Sequence, residues 1–239
     1  ELNGVVIVFL NFVVSKFGPV AIFMLLTRTF ASYGVEHLKP AVAYVILTVA
    51  LLLIFLIIGY PAFIAIFAHL DPFKFAKKIT RVAVFGFSTS SSAATLPLNV
   101  KTTVEELGVD EKIASFVLPL GMTINMNGTA IMQVIATLFI AGCAGYSISF
   151  TQLVVIALLA LIASAGTPAA PGSGAIILFT ILSGLGYVND AAMLAYSLIL
   201  AINRPIEMLV TALNVVGDSA TSIYVAKSEG VLNEDVYNA

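Results

Sequence analysis

Leu200 to Gly230 reads LAINRPIEMLVTALNVVGDSATSIYVAKSEG, an apolar helical stretch carrying Asn203, Arg204, Glu207, Asn214 and Asp218. A charged group at membrane depth costs roughly 2.5–3.5 kcal/mol on insertion scales, so such residues face a protein interior or a watery cavity and need partners there. At about 100° per residue, Asn203, Glu207, Thr211, Asn214 and Asp218 share an arc of roughly 80°. Val210 interrupts this polar stripe at one edge and Arg204 flanks the other. Neutral interhelical hydrogen bonds could explain such a stripe, but two carboxylates and a guanidinium exceed what packing requires.

The surrounding chain sets the context. Of its 239 residues, 60% are hydrophobic and 10% charged, against about 25% charged in soluble domains. The expected class is an all-α polytopic membrane protein. A net charge of −2 and the lack of a basic stretch interleaved with aromatics argue against nucleic acid as a partner. Cys143 is the sole cysteine, which excludes an intrachain disulfide or a cysteine metal site. The first residues lack a signal-peptide pattern, and the reading begins as though inside something longer.

Two spans are expected first, over 2–30 and 41–70, joined by a polar turn with His37. His37 and His69 are solitary and read as interfacial. Lys74, Lys77, Lys78 and Arg81 mark the following loop as cytoplasmic. Then VAVFGFSTSSSAATLPLNV carries polar residues between short apolar arms, which predicts a re-entrant hairpin over 79–100; a cytoplasmic serine-rich loop is the alternative. Lys101 to Lys112 reads as a charged connector.

The stretch 113–144 is long enough to span, yet GMTINMNGTA at its centre predicts an unwound middle whose oxygens could bind a hard cation; a packing kink is the alternative. Within 151–187, two short apolar arms flank AGTPAAPGSG, where Pro168, Pro171 and three glycines break the helix. That predicts a second hairpin, with a final helix over 191–226. Residues 1–70 are thus read as two transmembrane helices and 71–239 as a transport domain: hairpin, helix, hairpin, helix, with the hairpins entering from opposite faces. No phosphate loop, nucleophile elbow or acid–base pair competes, so no catalytic residue and no enzyme are expected.

SSSAATLP, GMTINMNGT, AAPGSGA and NVVGDSATSIYVAKSEG together resemble motifs of the dicarboxylate/amino acid:cation symporter family, which includes the glutamate transporters. The resemblance covers nearly the whole chain. It implies an elevator-type secondary transporter with inverted repeats, located in the plasma membrane (the inner membrane in a prokaryote), with sodium as coupling ion, no other cofactor, and a homotrimer for the full-length protein. By position the chain looks like the family's fifth to eighth helices, which suggests a fragment lacking the earlier scaffold.

Carried over residue by residue, the resemblance implies substrate contacts at Ser91, Ser92, Thr129, Ala170 to Gly174, Glu207, Val210, Thr211 and Asn214. It implies one sodium site at Gly121, Asn125, Asn214 and Asp218, and another at Thr123, Ser164, Ala165 and Thr167. Asn127 stands where the family has Asp, and Glu207 where many members have Asp. Val210 replaces the arginine that pairs with an acidic substrate's side chain, a clamp Val cannot supply. Arg204 is expected to pair with Glu207 at i+3. The expected substrate is a small neutral amino acid, with an acidic amino acid or C4-dicarboxylate as the alternative. An uncoupled channel and an inactive fragment are further alternatives.

Overall fold

The computed structural model describes residues 38–239, together with Lys16, Val20, Phe23, Met24 and Thr27 as isolated helical positions. The expected span over 2–30 and the turn around His37 lie outside the continuously described residues. Every regular element among the described residues is helical.

Helix α1 (Leu38–Ile54) runs on through a wider turn at Phe55–Gly59, α2 (Tyr60–Phe63) and a second wider turn at Ile64–Ala68. Its outer face carries exposed Ile46, Leu47, Ile54, Ile57 and Ile58. In water these would form a large unfavourable patch; against lipid tails they are matched. His69, in the left-handed conformation at φ 53°, ends this element at the surface.

The chain then folds as α3 (Pro72–Thr89), α4 (Ser92–Glu105), α5 (Glu111–Ile124) and α6 (Asn127–Cys143). It continues through α7 (Phe150–Ala165), α8 (Ser173–Leu185), α9 (Asp190–Ile202), α10 (Arg204–Ser228) and α11 (Glu234–Asn238). Among the described residues, three stretches are long and apolar enough to cross a membrane: Ala41–Ala68, Glu111–Cys143 and Arg204–Ser228. The molecule is a multi-pass membrane protein.

Helix α10 is the centre of the bundle, packed against α1 and against α3 to α6. In its spanning window 72% of residues are buried, against 22% for Ala41–Ala68. That inversion accounts for its sequence: a helix surrounded by protein can carry polar groups that a lipid-facing helix cannot. Gly86 permits the close packing of α3 on α10, since a Cβ there would stand 2.9 Å from a Val215 methyl.

Three boundaries differ from the sequence reading. The first hairpin is longer than 79–100, because Asp71 accepts from the Phe73 and Lys74 amides and starts α3 with Pro72 in its first turn. Lys74, Lys77, Lys78 and Arg81 therefore sit on a helix, opposite Phe75, Ile79 and Val82, which are buried. The second arm also runs on through Lys101 to Glu105, into what was read as connector. The expected helix over 191–226 is two helices, because Pro205 in the first turn of α10 has no amide to donate back into α9.

Candidate functional site

The two hairpin tips meet. In the first, Ser90 takes a left-handed conformation (φ 50°) that ends α3, and Ser91 caps α4 by accepting from the Ala94 amide at 3.2 Å. The Ser91 hydroxyl donates to the Ala169 carbonyl of the second tip at 3.0 Å. The second tip turns at Gly172, whose φ of 83° suits a residue without Cβ. Gly174 is buried against Thr129 and Met132, where a Cβ would come within 3.3 and 3.0 Å of their side chains.

Glu207 enters from the first turns of α10. Its Oε1 accepts from the Ala175 amide at 3.2 Å, next to the start of α8, whose N-terminus has no side-chain cap of its own. The buried Gln133 side chain donates to the Gly174 carbonyl at 3.1 Å. Two turns along α10 from Glu207, the Asn214 Oδ1 accepts from the Gly128 amide at 2.8 Å, and its Nδ2 donates to the Thr129 hydroxyl at 3.2 Å. Asn214 thus satisfies the exposed start of α6 from a neighbouring helix. Gly128 permits this approach, since a Cβ there would sit 2.9 Å from the Val210 carbonyl.

These groups surround one cavity, lined by Ser90, Ser92, Met126, Thr129, Met132, the second tip, Glu207, Val210, Thr211 and Asn214. Its volume is about 30 Å³, room for about one or two water molecules. Among the described residues, no lysine or arginine lines it. An amino acid would fit only after a hairpin moved.

One turn further along α10, Asp218 is 2% exposed, and its Oδ1 accepts from the Asn125 side chain at 2.8 Å. Asn127 donates to the Asn125 Oδ1 at 2.8 Å and to the Tyr60 hydroxyl at 3.2 Å. A separate cavity of about 110 Å³, lined by Gly121, Asn125, Asp218 and Thr221 among others, adjoins the carboxylate. Gly121 is required here, because a Cβ would stand 2.6 Å from the Asp218 Oδ1. The helix break at Asn125 and Met126, one buried carboxylate and amide oxygens form a donor set suited to a hard monovalent cation. Among the described residues, no group of three histidines, cysteines or acids could hold a metal.

The structure therefore gathers Ser92, Thr129, Ala170, Gly174, Glu207, Val210, Thr211 and Asn214 around one cavity, with Thr167 at its rim. Ser91 is not in that lining, since its hydroxyl is engaged at the hairpin contact. Gly121, Asn125 and Asp218 share the second cavity, whereas Asn214 belongs to the first. Thr123 is exposed and donates to the Leu120 carbonyl. Ser164, Ala165 and Thr167 end α7, with the Ser164 carbonyl accepting from the Thr167 amide. None of Thr123, Ser164, Ala165 and Thr167 lines the cavity beside Asp218. Arg204 is exposed and forms no ion pair with Glu207 among the described residues. The Glu207 carboxylate is turned to the Ala175 amide instead.

Sequence reading passed over Ser90, which lines the first cavity and whose buried hydroxyl has no hydrogen-bond partner among the described residues. Only its place in the serine run pointed to it. Tyr44 was also missed: its hydroxyl donates to the Asn203 Oδ1 at 2.6 Å and ties α1 to the α9–α10 junction.

The model of the sodium:dicarboxylate symporter family matches residues 1–228. The putative sodium-dependent excitatory amino acid transporter glt-4 of Caenorhabditis elegans is 32% identical over 80% of this chain and 38% of its own length. The proton/sodium-glutamate symport protein of Bacillus caldotenax is 31% identical over 93% of this chain and 51% of its own. Excitatory amino acid transporter 1 of Homo sapiens is 34% identical over 74% of this chain and 32% of its own. The chain spans about a third to a half of the length of these relatives.

Proposed function

We propose, for a chain that belongs to the sodium:dicarboxylate symporter family, that it forms the substrate- and cation-binding part of a sodium-coupled amino acid symporter. The observation that carries this is the pair of neighbouring cavities along α10. One is closed between two hairpin tips and lined by Glu207 and Asn214; the other lies beside the buried carboxylate of Asp218. A cation at Asp218 would remove the cost of its burial. It would also hold the α5–α6 break in the geometry that presents Gly128 and Thr129 to Asn214. Cation and substrate would then favour the same arrangement, which is the requirement for coupling.

In this scheme the substrate's α-carboxylate meets Ser92, Asn214 and the second hairpin, Thr129 and Thr211 line the pocket, and Glu207 takes the amino group. The Gly121, Asn125, Asn214 and Asp218 set takes one sodium. Thr123 with Ser164, Ala165 and Thr167 takes a second. Residues 71–239 act as the transport domain within a homotrimer in the plasma membrane.

An acidic amino acid is the favoured substrate, because the bacterial relative is named as a glutamate symport protein and the animal ones as excitatory amino acid transporters. This reverses the neutral preference drawn from Val210. The neutral reading keeps one observation on its side, the absence of any lysine or arginine from the cavity lining. A binding titration on the full-length protein with aspartate, succinate, alanine, serine and threonine, with and without sodium, tests both. Sodium-dependent aspartate binding that outcompetes alanine supports the acidic reading; the reverse order supports the neutral one. Binding indifferent to sodium overturns the symporter.

A further inference from the structure

We infer that the chain from Asn233 to Ala239 positions the first hairpin by clamping its base, with Lys78 as the residue that carries the clamp. Lys78 lies on α3, one arm of the hairpin. Its ammonium donates to the Glu106 carbonyl at the end of the other arm, at 2.9 Å, and to the Val236 and Tyr237 carbonyls of α11 at 2.8 and 2.9 Å. All three ammonium protons are used. One cation thus joins both arms of the hairpin and α11, through three backbone carbonyls and with the Tyr237 ring 5.9 Å away.

The segment is held at other points too. Tyr237 is fully buried, and its hydroxyl donates to the Asp71 carbonyl at 2.8 Å, at the very start of α3. Lys74 donates to the Asn238 carbonyl. The Asn233 amide donates to the Gly108 carbonyl at 2.8 Å, and Gly108 has a φ of 72° and no room for a Cβ beside the Asn233 carbonyl. Lys227 and Glu234 form an ion pair that fastens α11 to the end of the central helix.

These contacts set the separation of α3 and α4 at their open end. A hairpin with its base fixed moves as one body, and its tip keeps Ser90 to Ser92 in register with Ala169 of the second hairpin. The clamp rests on the proposed function only for the purpose the hairpin serves; the positioning itself is readable without substrate.

Hydrogen–deuterium exchange on the full-length protein in lipid nanodiscs tests the inference, using wild type, Lys78→Met and a variant with residues 233–239 deleted. Both variants are expected to exchange at least about tenfold faster across α3, α4 and the tip around Ser90 to Ala94, with α8 and α10 unchanged. Unchanged exchange in either variant overturns the clamp. So does acceleration spread evenly over all helices, which would mark a general loss of stability. Aspartate and alanine binding measured in parallel separates the two questions. Absent binding in wild type counts against the symporter, while locally faster exchange in both variants still supports the clamp.

Discussion

The Glu207 carboxylate, 7% exposed, caps the second hairpin by accepting from the Ala175 amide at 3.2 Å. The central helix thereby supplies the anion that the start of α8 lacks in its own sequence, at a helix end whose dipole favours negative charge. Glu207 also lines the small cavity between the tips, so in the proposed scheme hairpin closure and substrate recognition share one residue.

Glu207→Gln keeps an acceptor for the Ala175 amide and removes the charge. A hydrogen bond to a charged group is worth about 1.5–3 kcal/mol, so amino acid affinity is expected to fall at least about tenfold. The fold is expected to persist. Calorimetric titration with aspartate and alanine checks this, and equal affinities in both proteins would remove Glu207 from the recognition of the amino group.

Asp218→Asn is expected to raise the melting temperature in the absence of sodium, because it replaces a buried carboxylate by a neutral amide of the same shape. Sodium at about 100 times its dissociation constant stabilises a binding protein by about 2.7 kcal/mol. The wild type should show that gain and the variant should not. Thermal denaturation across a sodium series, with choline as control, reads both effects; a full sodium-induced shift in the variant would place the cation elsewhere.

Gly121→Ala tests the same site from the other side of the carboxylate. Its methyl would stand 2.6 Å from the Asp218 Oδ1, so the carboxylate must move and half-saturation is expected to need several times more sodium. Gly142→Ala on α6 is the matched control, since a Cβ there meets nothing within 4 Å. Equal sodium dependence for both variants would detach Gly121 from the cation site.

Ser90→Ala separates stability from binding. The Ser90 hydroxyl is buried without a partner, and an unsatisfied buried group costs about 1–3 kcal/mol. Its removal is expected to leave the substrate-free protein as stable or more so, while substrate affinity falls severalfold. A drop in melting temperature with affinity unchanged would show the hydroxyl to be structural.

The sequence carried much of this architecture because a membrane leaves few options. Polar interruptions at Ser88 to Ser92, Gly121 to Thr129 and Gly166 to Gly174 within apolar chain can be tolerated only in broken helices buried by protein. The stripe on Leu200 to Gly230 likewise marked α10 as an interior helix. The length of the first hairpin was less legible, because a capped amphipathic helix with four basic residues looks like a charged loop when read by composition. The split at Asn203 was not read, because the apolar stretches beyond Asn203 and Ile206 run together as one long hydrophobic helix when read by composition.

By itself the sequence determined the class of protein, the breaks at the two hairpin tips and at Asn125, and the residue types available for a cation and a carboxylate. Those follow from local composition, since the cost of polar groups in hydrocarbon acts residue by residue. Only the tertiary structure decided which groups meet: Glu207 with Ala175 rather than Arg204, Asn214 with the start of α6, and Lys78 with the carbonyls of α11. Those pairings join residues 32 to 159 positions apart, and which of several donors and acceptors pair is settled by how the helices pack.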